Sequence, residues 1–241
     1  MGLVLGGGGV RGSYQIGVFY ALKKSHIKID GFTGSSIGAF NAAMLASKRE
    51  EELLYFWRNT EIGKVFGFSD ELIKLANSDK FNFKILKAGY NDLIKVIKNK
   101  GITTDNLLNI LNELNIEESL FKSNKEFGLL TVRAHDFKPI YVFKKDLKNG
   151  KLNEYLMASC YLPIFKSKKI IDDNYYLDGG FYDYAPANAL LDKGYNKVYV
   201  VDLDALGYRR KYKDKDKIIL IKPSKNLGSI ININQKKVSE N

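Results

Sequence analysis

The sequence is poor in the residues that build disulfide frameworks and histidine-based sites. Its 241 residues include one cysteine, Cys160, and two histidines, His26 and His135. A single cysteine excludes an internal disulfide framework and is consistent with a reducing compartment. Cys160 lies in an apolar stretch, which favours a buried, inert thiol, while a catalytic thiol stays open as the alternative.

Long apolar runs are also missing. No run approaches the roughly 18 residues of a membrane span, and no basic region precedes the first apolar segment, so we expect no signal peptide and a cytoplasmic protein. The net charge of +11 suits anionic partners, either nucleic acid or an anionic membrane surface. Because no zinc-finger or aromatic RNA-binding signature is present, we expect no nucleic-acid partner and retain peripheral contact with a membrane.

What the sequence does contain is a G-x-S-x-G motif at residues 34–38. A strand-like run precedes it at 27–33, and a helix-like run follows at 39–46. Strand, tight turn and helix in this order hold the central serine at the apex, so Ser36 is a candidate nucleophile. By itself, the pentapeptide fits an ordinary turn rich in glycine and serine equally well.

A glycine-rich loop at residues 6–12 lies between a short apolar run and a helix predicted at Ser13–Lys24. Its G-x-G-x-x-G spacing, with Asp30 near the end of the next predicted strand, would suit a nucleotide-binding module. The second interpretation is an anion cradle of exposed backbone N–H groups, which beside an attacking serine forms an oxyanion hole. The extra glycines and Arg11 favour the second interpretation.

A nucleophilic serine needs a base, and the best candidate is Asp178, which follows a predicted strand at 175–177 and precedes two glycines. His26 follows the first predicted helix and His135 lies in a predicted hairpin turn, so both are weaker candidates. A carboxylate with an ordinary pKa of about 3.9 is a poor base for an alcohol. Partial burial would therefore have to raise the pKa of Asp178. By itself, the segment is better explained as an ordinary Asp-Gly turn.

The rest of the chain predicts an α/β fold, because strand-like and helix-like segments alternate as in an open, mostly parallel sheet. Residues 48–125 depart from this alternation and suggest a helical insertion or cap over the serine. Helices are predicted within it at 91–100 and 104–114. Further strands are predicted at 127–134, 140–144, 169–171, 197–203 and 218–221, and the segment from 224 is expected to be weakly structured.

Together, G-G-G-x-R-G, G-x-S-x-G and D-G-G, in this order, resemble the patatin-like phospholipase family. The resemblance covers most of the chain, and the segment 158–165 agrees with it. It implies a three-layer αβα fold. From the length and the residue pattern we expect one domain over 1–241, with the helical insertion or cap at about 48–125. The resemblance also implies a Ser-Asp dyad, with Ser36 as nucleophile and Asp178 as base, and no cofactor or metal. The other implied positions are Gly7, Gly8 and Gly9 at the oxyanion hole, and Arg11, Gly12, Gly34, Gly38, Gly179 and Gly180 in support.

The function that this resemblance implies is a serine lipid acyl hydrolase of the phospholipase A or lysophospholipase type, acting on phospholipid through an acyl-enzyme. A small-ester or thioester hydrolase of the same fold and a non-enzymatic nucleotide-binding module remain alternatives. Residues 81–100 combine aromatic and aliphatic residues with lysines, which suits docking on an anionic membrane. A helix that packs on the core with a solvated lysine face explains the same pattern.

Overall fold

The computed structural model describes residues 1–65 and 102–228. Within these ranges the chain forms a sheet of seven strands with helices around it. The strands are β1 Gly2–Leu5, β2 Gly31–Ser35, β3 Glu126–Arg133, β4 Lys138–Phe143, β5 Tyr176–Asp178, β6 Val198–Val201 and β7 Ile218–Ile221. The helices are α1 Ser13–Lys24, α2 Ile37–Ala46, α3 Glu50–Asn59, α4 Ile62–Val65, α5 Asp105–Leu114, α6 Ile116–Lys122, α7 Leu152–Ser159 and α8 Ala187–Asp192.

The sheet is mixed and mostly parallel. Its order is β4-β3-β2-β1-β6-β7, and β5 pairs with β3 outside this path. Strands β3, β2, β1, β6 and β7 run parallel to one another, whereas β4 and β5 run antiparallel to β3. The carboxyl ends of the parallel strands therefore share one edge, which is where open α/β sheets bind their ligands.

Side chains that alternate along the strands belong to two separate apolar clusters, one on each face of the sheet. Leu3, Leu5 and Phe32 pack on one face with buried residues of α1, α2, α3, α5, α6 and α7. Val4 and Leu190 belong to a smaller cluster on the other face, together with Val198 and Val200. Because apolar residues alternate in direction along a strand, both faces need a helical cover. The predicted three-layer αβα fold is confirmed.

Two strand predictions were wrong in detail. The strand predicted at 27–33 begins only at Gly31, because the chain first leaves α1 through a turn in which the Ile27 N–H donates to the Leu22 carbonyl. The strand predicted at 169–171 is reduced to a single bridge between Ile171 and Asn174. Asp172 and Asp173, between these two residues, both have positive φ, which closes a tight turn and leaves no room for a strand.

Strand β3 aligns the two segments that carry the predicted dyad. Ser35 of β2 pairs with Leu130, and Asp178 of β5 pairs with the next residue of β3, Thr131. Because β4 occupies the opposite edge of β3 along the same residues, β5 must lie on the edge that β2 occupies. Strands β2 and β5 therefore meet end to end, and their carboxyl ends converge.

Several predictions fall wholly or partly outside the described residues. The helix at 91–100 and the membrane-docking segment at 81–100 lie there, as does most of the tail from 224. The helix predicted at 104–114 is α5. Among the described residues, no helix combines the length and the apolar character needed to cross a bilayer.

Candidate active site

Ser36 lies between β2 and α2 in a strained backbone conformation, with φ 55° and ψ −135°. Few side-chain-bearing residues adopt such a conformation, and it typically costs on the order of 1–3 kcal/mol. Close backbone packing enforces it. A methyl group at Gly38 would lie 2.0 Å from the Leu5 carbonyl oxygen, and one at Gly34 would lie 2.3 Å from the Gly38 carbonyl oxygen. The motif glycines therefore let β1, β2 and α2 approach closely enough to fix the turn.

Side chains from distant segments hold the same turn. The Ser36 N–H donates to Ser159 Oγ at 3.0 Å, and the Ser159 hydroxyl donates to the Leu130 carbonyl at 2.7 Å. The Ser35 hydroxyl donates to the Tyr184 carbonyl at 2.7 Å. Ser159 is fully buried, so the hydrogen bonds it makes are shielded from water. The segment 158–165 agreed with the family pattern, but its serine had no predicted role.

Asp178 is buried beside this turn, with 4% of its surface exposed. Its Oδ1 accepts the Gly180 N–H at 2.8 Å, and its Oδ2 has no hydrogen-bond partner among the described residues. Burial raises the pKa of Asp178 to about 6, while the Ser36 hydroxyl and the Gly180 N–H act to lower it. The Ser36 hydroxyl is thus close enough to influence the pKa of the carboxyl without completing a hydrogen bond to Oδ2. The carboxyl has the raised pKa that a base in this position needs.

The D-G-G glycines fit this geometry differently. A methyl group at Gly179 would lie 2.2 Å from the Leu130 carbonyl oxygen and 2.9 Å from Ser35 Cβ. At Gly180 the nearest atom to a methyl group would be Asp178 Oδ1, at 3.1 Å. Gly179 therefore allows the close approach of the two turns, whereas Gly180 mainly supplies an N–H group to the carboxylate.

One pocket of about 500 Å³ contains the predicted dyad and the predicted oxyanion loop. Ser36 and Asp178 line it together with Gly7, Gly8 and Gly9. The remaining lining is largely apolar and includes Val10, Ile62, Cys160, Leu162, Ile164, Phe181 and Leu206. The arrangement combines a hydroxyl, a buried carboxyl and backbone amides in a space that favours apolar ligands.

The glycine loop lies directly against the serine, since a methyl group at Gly7 would lie 3.3 Å from Ser36 Cβ. The Gly7 N–H, however, donates to the Tyr184 carbonyl at 3.1 Å. Among the described residues, the N–H groups of Gly8 and Gly9 donate to no protein acceptor. Gly8 and Gly9 thus have amides available for an anion, and Gly7 shapes the loop.

Arg11 is a clamp for the loop and does not line the pocket. Its guanidinium donates to the carbonyls of Leu203 at 3.1 Å and Asp204 at 2.8 Å, both in the segment that follows β6. It also donates through Nε to the Gly228 carbonyl at 2.8 Å. Arg11 therefore joins the glycine loop to the segment after β6, and to the last described residue of the chain.

A buried amide network supports the other side of the loop. Gln15 donates to the Gly6 carbonyl at 2.7 Å and accepts from the Asn41 side chain at 2.8 Å. Asn41 also donates to the Gly12 carbonyl at 3.0 Å and accepts from the Trp57 indole. In the sequence, Gln15 stands out only as an amide directly before the apolar residues of α1. Its partners could be identified only from the three-dimensional structure.

The competing residues lie elsewhere, except for Cys160. His26 lies in the turn before β2, and His135 lies in the β3–β4 hairpin, 3.8 Å from Asp136. Neither lines the pocket. Cys160 does line it and is buried, and burial together with the nearby Asp178 raises the pKa of the thiol well above its ordinary value. A thiol held protonated in this way is a poor nucleophile.

The nucleotide-binding interpretation required Asp30 to lie near the end of a strand, and this prediction was wrong. Asp30 precedes β2, where it pairs with the N-terminal amine and with Lys125. The glycine loop follows β1, which is parallel to β2, so the two features lie at opposite ends of these strands. Four residues at about 3.3 Å each separate them. No group of three or more potential metal ligands from His, Cys, Asp and Glu was found in residues 1–65 and 102–228.

Comparison with known proteins gives similarity at three levels. Over residues 3–191 the chain matches a family model described as patatin-like phospholipase. It is 51% identical over 55 residues to lysophospholipase nte1 of Aspergillus terreus, covering 23% of this chain and 4% of that protein. It is 25% identical over 208 residues to patatin-like phospholipase domain-containing protein 7 of Rattus norvegicus, covering 83% of this chain and 13% of that protein.

The solved structure of VipD from Legionella pneumophila shares the fold, with a TM-score of 0.57 at 13% identity, covering 99% of this chain and 65% of that chain. The two curated relatives are much longer proteins, of which this chain spans 4% and 13%. Since the family model extends over most of the chain, from β1 into α8, the chain belongs to the patatin-like phospholipase family.

Proposed function

We propose that this protein is a serine acyl hydrolase that cleaves lipid esters, with phospholipids or lysophospholipids as substrates. The observation that carries the proposal is the juxtaposition of a strained Ser36 with the buried Asp178, whose Oδ2 has no hydrogen-bond partner among the described residues. Strain of this kind persists only where the surrounding structure enforces it, and it concentrates at functional sites. A buried carboxylate oxygen without a partner is also costly, and a catalytic role is one explanation for its presence.

In the proposed reaction, Ser36 Oγ attacks the ester carbonyl carbon and its proton passes to Asp178 Oδ2. The bond to the alcohol then breaks, and Asp178 returns the proton to the leaving oxygen. Water attacks the resulting acyl-enzyme, again giving its proton to Asp178, and the fatty acid leaves as Ser36 recovers a proton. The pKa of about 6 suits Asp178 for both roles, because a base works best when its pKa lies near the working pH.

The negative charge that develops on the carbonyl oxygen is assigned to the amides of Gly8 and Gly9. Both residues line the pocket, and their N–H groups are free of protein acceptors among the described residues. Removing one oxyanion donor typically lowers turnover about 100- to 1000-fold. Gly7 contributes by packing against Ser36, and Arg11 by holding the loop in position.

The apolar lining and the size of the pocket favour a lipid over a small ester as substrate. The residues around Ser36 are largely apolar, and a pocket of about 500 Å³ exceeds what a small ester needs. The lysophospholipase names of the relatives point the same way. An acyl chain in such a pocket gains affinity by burying its methylene groups, at about 0.8 kcal/mol each.

Labelling with a fluorophosphonate tests the nucleophile. We expect the parent protein and a Ser25→Ala control, altered in an exposed turn, to be labelled, and Ser36→Ala to remain unlabelled. Release of fatty acid from lysophosphatidylcholine, compared with a short-chain soluble ester, then tests the substrate class. Labelling of Ser36→Ala at the parental rate would refute the nucleophile, and exclusive cleavage of the short ester would refute the lipid assignment.

A further inference from the structure

The mouth of the Ser36 pocket carries exposed apolar side chains. Phe181, Leu206 and Tyr208 line the pocket, yet 42%, 89% and 63% of their surfaces are exposed. Phe181 follows the D-G-G glycines, and the other two lie in the segment after β6 that Arg11 clamps. We call these three residues the rim. Each therefore lines the pocket and is also accessible to solvent.

Hydrogen bonds tie the backbone of Tyr208, one of the rim residues, to the segment that follows Asp178. The Tyr208 N–H donates to the Gly180 carbonyl at 2.9 Å, and the Tyr208 carbonyl accepts the Tyr184 N–H at 2.7 Å. Leu206 therefore lies between two anchored positions, the Arg11 contacts at Asp204 and the pairing at Tyr208. A leucine that the fold holds out in water contributes little to the core, and large exposed apolar groups of this kind mark interaction sites.

Cations follow, in sequence, two of the segments that line the pocket. Arg209, Arg210 and Lys211 come directly after Tyr208 and are exposed. Lys166, Lys168 and Lys169, also exposed, begin two residues after the pocket-lining Ile164. Since a residue spans at most about 3.6 Å, Lys166 lies within reach of the pocket wall. Two of these cations are partly neutralised, because Asp202 and Asp204 pair with Arg209, and Asp173 pairs with Lys169.

We propose that the rim and its flanking cations form the surface by which the protein docks on an anionic lipid bilayer. The partner is argued from charge complementarity and from continuity with the pocket. Apolar side chains of the rim enter the headgroup boundary, and the cations meet the lipid phosphates. Docking in this orientation places the pocket opening on the membrane, where a lipid ester can enter. The inference rests on the proposed function, because it assumes a lipid substrate.

The test measures vesicle binding in a Ser36→Ala background, so that binding is read without hydrolysis. Vesicles of phosphatidylcholine alone are compared with vesicles of equal parts phosphatidylcholine and phosphatidylglycerol, by sedimentation at low and high salt. The rim variant is Leu206→Ser, matched by Leu220→Ser, a leucine of β7 with 46% of its surface exposed. The charge variant is Arg210→Gln with Lys211→Gln, matched by Lys24→Gln with Lys28→Gln, exposed at the amino end of the sheet.

We expect Leu206→Ser to weaken binding to anionic vesicles about tenfold, and the Arg210–Lys211 pair to weaken it on the order of tenfold or more. The loss from the charge pair should shrink at high salt, because salt screens the attraction. Both control variants should bind as the parent does. Circular dichroism and the melting temperature confirm that each variant is folded.

Three results would each overturn the docking surface. The first is parental binding by both the Leu206→Ser variant and the Arg210→Gln, Lys211→Gln variant. The others are equal losses in the control variants and no preference of the parent for anionic vesicles. Hydrolysis of a soluble ester by the protein with Ser36 intact reports separately on the proposed chemistry. Loss of vesicle preference with intact ester hydrolysis would refute only the docking surface. Absent ester hydrolysis with intact vesicle preference would refute the proposed function and leave the surface standing.

Discussion

The turn at residues 34–38 and the turn at residues 178–180 meet at one point, but they carry different kinds of strain. The first is conformational. Ser36 has φ 55° and ψ −135°, and the glycines around it allow backbone contacts that no other residue permits. The second is electrostatic. The backbone of Asp178 has ordinary angles, φ −50° and ψ 138°, but its carboxyl is buried with its pKa raised to about 6.

The difference matches the roles proposed for the two turns. A nucleophile needs its oxygen projected in one fixed direction, which a tight backbone turn supplies. A base needs an altered pKa, which desolvation supplies. Strand β3 brings the two turns together, because Leu130 pairs with Ser35 and the next residue, Thr131, pairs with Asp178. Variants in each turn should therefore fail in different ways.

The largest expected effect is on turnover, where the two turns act as a unit. We expect Ser36→Ala and Asp178→Asn each to lower kcat by about 10⁴-fold or more, with the double variant no worse than either single variant, because each group is useless without the other. Release of fatty acid in single-turnover and steady-state assays measures this. A double variant much slower than both singles would indicate two independent contributions.

The sequence predicted the two turns better than their surroundings. Ser36 and Asp178 could be proposed as a dyad from the sequence because the motifs are local and most of their glycines have a direct steric purpose. The use of the Gly7 amide by the Tyr184 carbonyl was not predictable, since 177 positions separate them along the chain. The same holds for Ser159, whose hydroxyl bridges Ser36 and Leu130 only once β3 and α7 have packed. Non-local contacts leave no periodic signal in the sequence.

The second largest effect concerns the steric demand of the first turn. A methyl group at Gly38 meets backbone at 2.0 Å, whereas at Gly180 it meets a side-chain oxygen at 3.1 Å. We expect Gly38→Ala to lower the free energy of unfolding by about 3–5 kcal/mol, because β1 or α2 must move. Gly180→Ala should cost about 1 kcal/mol or less.

Urea denaturation at fixed pH measures both glycine variants. Equal losses of stability for Gly38→Ala and Gly180→Ala would contradict the claim that backbone packs tightly against Gly38 and not against Gly180.

The third prediction separates stability from activity at Asp178. Burial raises its folded-state pKa from 3.8 to about 6, so the folded protein holds the proton more tightly than the unfolded chain. Ionisation therefore destabilises the folded state as pH rises through this window, and the cost is complete above pH 6. Asp178→Asn should raise the free energy of unfolding by about 2–3 kcal/mol near pH 8.

That gain should fade as pH falls below about 4, where the carboxyl is neutral in both states. The neighbouring Asp183, whose pKa burial raises to about 7, is present in both proteins and cancels in the comparison. Denaturation curves at the two pH values decide the matter. A variant that is less stable than the parent near pH 8 would show that the Asp178 carboxylate is stabilised, not strained, in the fold.

The same titration governs catalysis in the opposite direction. The base must be ionised, so kcat/KM for a soluble ester should fall about tenfold per pH unit below a midpoint near 6. Stopped assays between about pH 4 and pH 8 record this profile. A midpoint near 4 would mean that the base is a solvated carboxyl, and the buried Asp178 would then not be the base.

The smallest expected effect isolates the conformational strain itself. Ser36→Ala and Ser36→Gly both remove the hydroxyl, but only glycine adopts φ 55° and ψ −135° without a steric penalty. Relief of strain of about 1–3 kcal/mol is opposed by the larger backbone entropy that glycine loses on folding, about 0.5–1 kcal/mol. Ser36→Gly should therefore be more stable than Ser36→Ala by about 1 kcal/mol, with neither variant active.

At Ser25, whose backbone lies at φ −81° and ψ 13°, the same pair of substitutions should show the reverse order of stability, because glycine relieves no strain there and keeps its entropic cost. If glycine were the less stable substitution at both positions, the turn at Ser36 would be unstrained, and the contrast with the aspartate turn would rest on the buried carboxyl alone.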